Sequence, residues 1–238
     1  MKSILVFWFV SLAAICAWVG YCSAAGRDPR APLWSTPEPT HLTVDLGPSR
    51  DPVEAALDAL WAIDSEGHRG SAAAIACVPL AGGGYVVTFL TAKHVLQDED
   101  QFALRDGHRL TIAGKVAHPS LDLAVMAAQS PVPQPVLRLR SDLRTGEAVS
   151  AMGHGLDSNE LIVASGRIGT RVVSVPMVWG CSGGPVVDAQ GRLVAVTITM
   201  AQHPGMGVHS AGGLSALPLV GLTGVIPVAA FASWLAMR

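Results

Sequence analysis

Residues Trp179 to Val196, WGCSGGPVVDAQGRLVAV, decide how this chain is read. Ser182 stands among Gly180, Gly183 and Gly184, with Cys181 directly before it and Pro185 just beyond. A serine hydroxyl is a weak nucleophile at neutral pH until an adjacent base takes its proton. The carbonyl it attacks gathers negative charge, which preorganised N–H donors stabilise. Glycines suit that task, because they admit unusual backbone angles and let another group come close. The plainer alternative is a glycine-rich turn with a capping serine.

The residues after Ser182 separate two kinds of hydrolase. Gly180-Cys181-Ser182-Gly183-Gly184 fits the G-x-S-x-G pattern of a nucleophile elbow, but the elbow requires a helix after the serine. Here Pro185-Val186-Val187, the turn Asp188-Ala189-Gln190-Gly191 and the run Leu193 to Thr197 spell a β-hairpin, with Gly191 supplying the turn. The elbow also takes its acid and then its histidine from downstream. Only Asp188, inside the turn, comes after Ser182 as an acid. The elbow is excluded.

Upstream the chain offers better partners. Phe89-Leu90-Thr91-Ala92-Lys93-His94 closes a strand-like run, and His118-Pro119-Ser120-Leu121-Asp122-Leu123-Ala124-Val125 sets Asp122 among apolar neighbours. An unpaired carboxylate buried there would be costly. A histidine partner offsets that cost and fixes the imidazole tautomer. These two segments, with GCSGGP after them, give the order His, Asp, Ser, which resembles the trypsin-like (chymotrypsin-fold) serine peptidases. Gly70-Ser71, Gly146 to Gly153, Ala164 to Ile168 and Gly224 to Pro227 are similar to segments of the bacterial HtrA/Deg-type branch, with no PDZ domain expected beyond them. The resemblance covers about residues 52–238.

The resemblance implies an all-β fold of two six-stranded antiparallel β-barrels, at about residues 68–135 and 136–227, with a short N-terminal helix and a C-terminal helix at 228–237. It implies a serine endopeptidase acting on proteins or peptides. His94 would serve as base and then acid, Asp122 would orient it, and Ser182 would form the acyl-enzyme. The N–H groups of Gly180 and Ser182 would make the oxyanion hole. Pro176, Met177, Val178, Thr199, Met200 and Ala201 would wall the pocket for the residue before the scissile bond. Pro176 stands where trypsin places its specificity aspartate, so small or medium apolar side chains are expected there. The alternative is a catalytically silent protein of the same fold that binds peptides or unfolded chains.

By the same resemblance, Cys181 takes the place of the aspartate used in trypsin zymogen activation, and activation by that route is not expected. Related viral enzymes use a cysteine nucleophile directly before the glycine pair, but here that place belongs to Ser182. Cys181 reads as a small buried packing residue. Whether it is bonded to Cys77 is a question of geometry that the sequence leaves open.

The rest of the 238 residues bound the answer. Half are apolar, the formal charge is −2, and no basic cluster occurs, which sets nucleic acid aside. Lys2, the apolar run from Ile4 and Ser23-Ala24-Ala25 read as a signal peptide over 1–25, so export to the periplasm or beyond is expected. An uncleaved membrane tether through residues 4–22 is the alternative. Residues 26–50 are proline-rich and read as a linker, leaving 51–238 as the peptidase domain. Asp51-Pro52-Val53-Glu54 opens a helix, continued by apolar residues through Ile63. Then come short β-type runs separated by turns such as Arg105-Asp106-Gly107-His108. The remaining histidines lack metal-ligand spacing, and no metal or cofactor is expected. Oligomeric state is not legible.

Overall fold

The computed structural model describes residues 51–65, 68–97, 101–155, 160–175, 177–200 and 223–237. The expected signal peptide or tether and the linker lie outside the described residues. The chain enters through a helix at Pro52–Leu57, where the Asp51 carboxylate accepts the Val53 N–H at 2.9 Å and Pro52 occupies the first turn. Six strands come next: β1 (Leu60–Ser65), β2 (His68–Pro79), β3 (Tyr85–Thr91), β4 (Phe102–Arg105), β5 (His108–Ala117) and β6 (Ala124–Ser130). They close into a barrel in the order β1-β2-β3-β6-β5-β4. Every pairing is antiparallel.

The helix does not run on to Ile63 as the apolar spacing suggests. Leu60, Trp61, Ala62 and Ile63 instead form β1, paired with Ala73, Ala72, Ser71 and Gly70 of β2. Pairing with β2 and β4 buries Trp61 completely, which overrides the local spacing. The first barrel therefore begins at Leu60. Inside it Trp61 meets Phe89 edge-on at 5.4 Å, and the Arg105 guanidinium lies 4.5 Å over the Trp61 ring. Strand β4, which the sequence leaves unmarked, is joined to β5 by Asp106-Gly107, both at positive φ, as a tight hairpin turn requires.

Strands β7 (Ala148–His154), β8 (Leu161–Arg167), β9 (Val172–Val173), β10 (Pro185–Val187), β11 (Leu193–Met200) and β12 (Thr223–Pro227) form a second six-stranded sheet, ordered β8-β7-β10-β11-β12-β9. It is a curled half-barrel rather than a second closed one. Its edges meet at one bridge, Ile168 to Val173, next to the short β9. The segment Val136–Leu139 forms no regular strand and passes between the two halves. It makes single backbone bonds to each: Leu137 N–H to Ala74 C=O and Leu193 N–H to Arg138 C=O. The expected helix at 228–237 is a 3₁₀ turn, Val228–Ala230, and a four-residue helix, Ala232–Leu235. Phe231, at φ −132°, interrupts them.

One apolar core fills the first barrel and reaches across to Met152, Val187, Leu193, Val196 and Ile226 of the second sheet. A smaller one lies within that sheet, around Val149, Ile168, Val173, Val186, Val194 and Cys181. No helix among the described residues is long and apolar enough to cross a membrane.

Candidate active site

Three segments that carry no regular strand meet between the two halves. The first lies just after β3, where Lys93–Val95 makes a 3₁₀ turn that presents His94. The second is the turn before β6, which carries Asp122. One oxygen of this carboxylate accepts the His94 backbone N–H at 2.9 Å, and the other lies 2.7 Å from His94 Nδ1. An ionised carboxylate is acceptor-only, so Nδ1 carries the proton and the neutral ring keeps its lone pair on Nε2. Burial acts to raise the Asp122 pKa, but the bonds from the His94 ring and backbone outweigh it and hold the carboxyl below its ordinary value. The two side chains are half-exposed, at 47% and 38%, so the desolvation expected of Asp122 is only partial.

The third segment is the loop Trp179–Gly184 before β10. Its peptides are held from both halves of the molecule. Ser71 of β2, fully buried, donates its N–H to Ser182 C=O and its hydroxyl to Gly180 C=O, each at 2.8 Å. Thr197 of β11 donates its hydroxyl to Cys181 C=O at 2.6 Å and accepts the Gly183 N–H at 2.7 Å. This packing explains the glycines. Gly183 has φ +87°, and a Cβ there would collide with the Ser71 carbonyl and the Thr91 hydroxyl. Gly180, at φ +94°, turns the chain ahead of the serine.

Among the described residues, three N–H groups of this loop donate to no protein group: those of Trp179, Gly180 and Ser182. The Ser182 hydroxyl donates to Ile198 C=O at 3.4 Å, and no hydrogen bond joins it to His94. A cavity of about 320 Å³ is lined by His94, Asp122 and Ser182 together with Met177, Val178, Trp179, Cys181, Thr197, Ile198 and Thr223. His94, Asp122 and Ser182 thus share one cleft.

Of the residues expected to wall the substrate pocket, Met177 and Val178 line this cavity. Pro176 and Ala201 lie outside the described residues, as do the side chains of Thr199 and Met200. Trp179, more than half exposed, lines the cavity too. Thr197, Ile198 and Thr223 were not singled out by sequence, because they sit on strands whose inward or outward facing depends on register. Ser71 is recognisable only as part of the Gly70-Ser71 pair.

Cys181 is 1% exposed, and burial pushes its thiol up to about 11. A thiol that stays protonated at neutral pH is a packing group, not a nucleophile. Cys77 is also free, so the two are not bonded to each other. Among the described residues, no three His, Cys, Asp or Glu side chains are grouped so as to hold a metal ion.

The trypsin-like peptidase domain model matches residues 76–196, which include His94, Asp122 and Ser182. Among solved structures, the chain is similar to the Rv3671c protease of M. tuberculosis H37Rv in an inactive form, at 18% identity. The match spans 78% of this chain and 91% of that one, with a TM-score of 0.60. It is also similar to a serine endoprotease of Yersinia pestis at 20% identity, over 79% of this chain and 65% of that one, with a TM-score of 0.57. At such identities the likeness concerns the fold. No curated protein matches the chain.

Proposed function

The chain belongs to the trypsin-like peptidase family and is a serine endopeptidase; from that premise we propose that Ser182 is its nucleophile, His94 its general base and Asp122 the group that orients His94. In this reading the Ser182 hydroxyl turns from Ile198 C=O to His94 Nε2 as substrate binds. Catalytic hydrogen bonds are often long or misaligned before that step. Nε2 takes the serine proton, Oγ attacks the scissile carbonyl, and the oxyanion accepts the N–H groups of Gly180 and Ser182. The proton then passes from His94 to the leaving amine, and water, activated by the same imidazole, hydrolyses the acyl-enzyme.

The observation that supports this reading is the two-point contact between Asp122 and His94, made beside Ser182 in one cleft. It leaves Nε2 as the proton acceptor. The test is labelling with a fluorophosphonate probe, read by intact mass and peptide mapping. A single adduct on Ser182, absent in Ser182→Ala and greatly slowed in His94→Ala, is expected. No adduct on the folded protein would sink the catalytic assignment. It would favour the silent binding protein, for which the bond from Ser182 to Ile198 speaks.

The apolar lining from Met177, Val178, Trp179 and Ile198 supports a preference for small or medium apolar residues before the scissile bond. Peptides ending in Val or Ala at that position are expected to turn over faster than those ending in Arg or Lys; the reverse order would overturn the assignment. The pattern of residues 1–25 supports export, with cleavage after Ala25 or retention as a tether. N-terminal sequencing of protein recovered outside the cytoplasm distinguishes the two.

A further inference from the structure

We propose that His118 is the positioning residue for Asp122, acting through the lone pair of its Nδ1. The inference rests on the reading of Asp122 as the orienting carboxylate. His118 is 8% exposed and plays no part in the chemistry above. Its backbone N–H donates to Leu123 C=O at 2.8 Å. Its ring Nδ1 accepts the N–H groups of Leu121 and Ser120, at 3.0 and 3.2 Å. Asp122 therefore stands between the last N–H that His118 holds, on Leu121, and the carbonyl that it holds, on Leu123. Pro119, with its fixed φ, narrows the same turn further.

Two N–H donors converging on one ring nitrogen fix the tautomer. Nδ1 is unprotonated and the neutral ring carries its hydrogen on Nε2. The ring also packs against Trp234 of the C-terminal helix, tilted and centroid to centroid 4.9 Å. His118 thus does two separable things: it fills space against Trp234, and it accepts two bonds that set the backbone on either side of Asp122. Removing the acceptor leaves two N–H groups without their partner and frees the turn. A shift of about 1 Å in a catalytic group can cost roughly 100-fold in rate.

Two substitutions separate these roles. His118→Phe keeps an aromatic ring against Trp234 and loses the acceptor. His118→Asn loses the ring and keeps an acceptor, its Oδ1, near the place of Nδ1. Each variant is checked by thermal unfolding, and two quantities are then read: kcat and KM on an apolar peptide, and the titration of the Asp122 carboxyl carbon by ¹³C NMR. His118→Phe is expected to lower kcat by about 10- to 100-fold with KM little changed. Its Asp122 titration moves up toward that of an ordinary aspartate, because the bonds from His94 that depress it are loosened. His118→Asn is expected to stay within about 3-fold of wild-type kcat, with Asp122 still depressed, as acceptor retention requires. Wild-type kcat and titration in His118→Phe, or equal damage in both variants, would overturn the proposal. The NMR readout needs no turnover. If Ser182 fails to label while the Asp122 titration still tracks the acceptor, the catalytic reading falls and the positioning role stands.

Discussion

At the scale of single residues, the glycines around Ser182 have a packing explanation as well as a chemical one. Gly183 is pressed against Ser71 and Thr91 of the first barrel, so the loop can be held from both sides only where no side chain intervenes. Gly183→Ala combines a positive φ, costing about 1–2 kcal/mol, with overpacking of about 1–3 kcal/mol. We expect it to be destabilised by about 2–5 kcal/mol in urea unfolding, and a loss below about 1 kcal/mol would contradict the geometry. Cys181 gives the complementary expectation. Its buried, protonated thiol is a space filler beside Gly153, so Cys181→Ala should still take the fluorophosphonate adduct on Ser182. Loss of labelling in a stably folded Cys181→Ala would give the cysteine a role that its burial argues against.

At the scale of elements, the hairpin of β10 and β11 was legible because its turn chemistry is local. Asp188 ties that turn. Its carboxylate accepts the N–H groups of Gln190 and Arg192 at 2.9 and 3.0 Å and pairs with the Arg192 and Arg140 guanidinium groups. Burial acts to raise the Asp188 pKa, but these bonds prevail and lower it. A carboxyl depressed in the folded state contributes stability above its unfolded pKa, about 3.9, and that stability is lost as pH falls through the folded value. Stability should therefore decline from about pH 4 downward, and less steeply in Asp188→Asn. Equal slopes in the two proteins would remove Asp188 from the account. The end of β3 was equally readable at Phe89 and Leu90. Strand β1 was not, because Leu60, Trp61 and Ile63 suit a helix face as well as a strand. Only pairing with β2 and β4 decides between them.

At the scale of the whole molecule, the two halves share one wiring. Counting the Ile168–Val173 bridge as closure, the second sheet runs β7-β8-β9-β12-β11-β10, the same order as β1-β2-β3-β6-β5-β4. No sequence repeat announces this. The halves are joined at the site by Ser71, which reaches from β2 to Gly180, Ser182 and the His154 N–H. Ser71→Ala leaves the buried Gly180 carbonyl and the part-buried His154 N–H without this hydroxyl, at about 1–3 kcal/mol. It should lower the urea midpoint and slow labelling of Ser182 together. Slower labelling without any loss of stability, or the reverse, would separate the clamp from the nucleophile loop. The sequence by itself determined which residues are candidates for the chemistry, their order along the chain and the hairpin behind Ser182, because side-chain identity and turn geometry are encoded within a few neighbouring positions. Only the tertiary structure decided that residues 60–63 form a strand, that the second barrel stays partly open, and that Ser71 and His118 hold the site. Those outcomes depend on partners tens of residues away, whose pairing and burial no local pattern specifies.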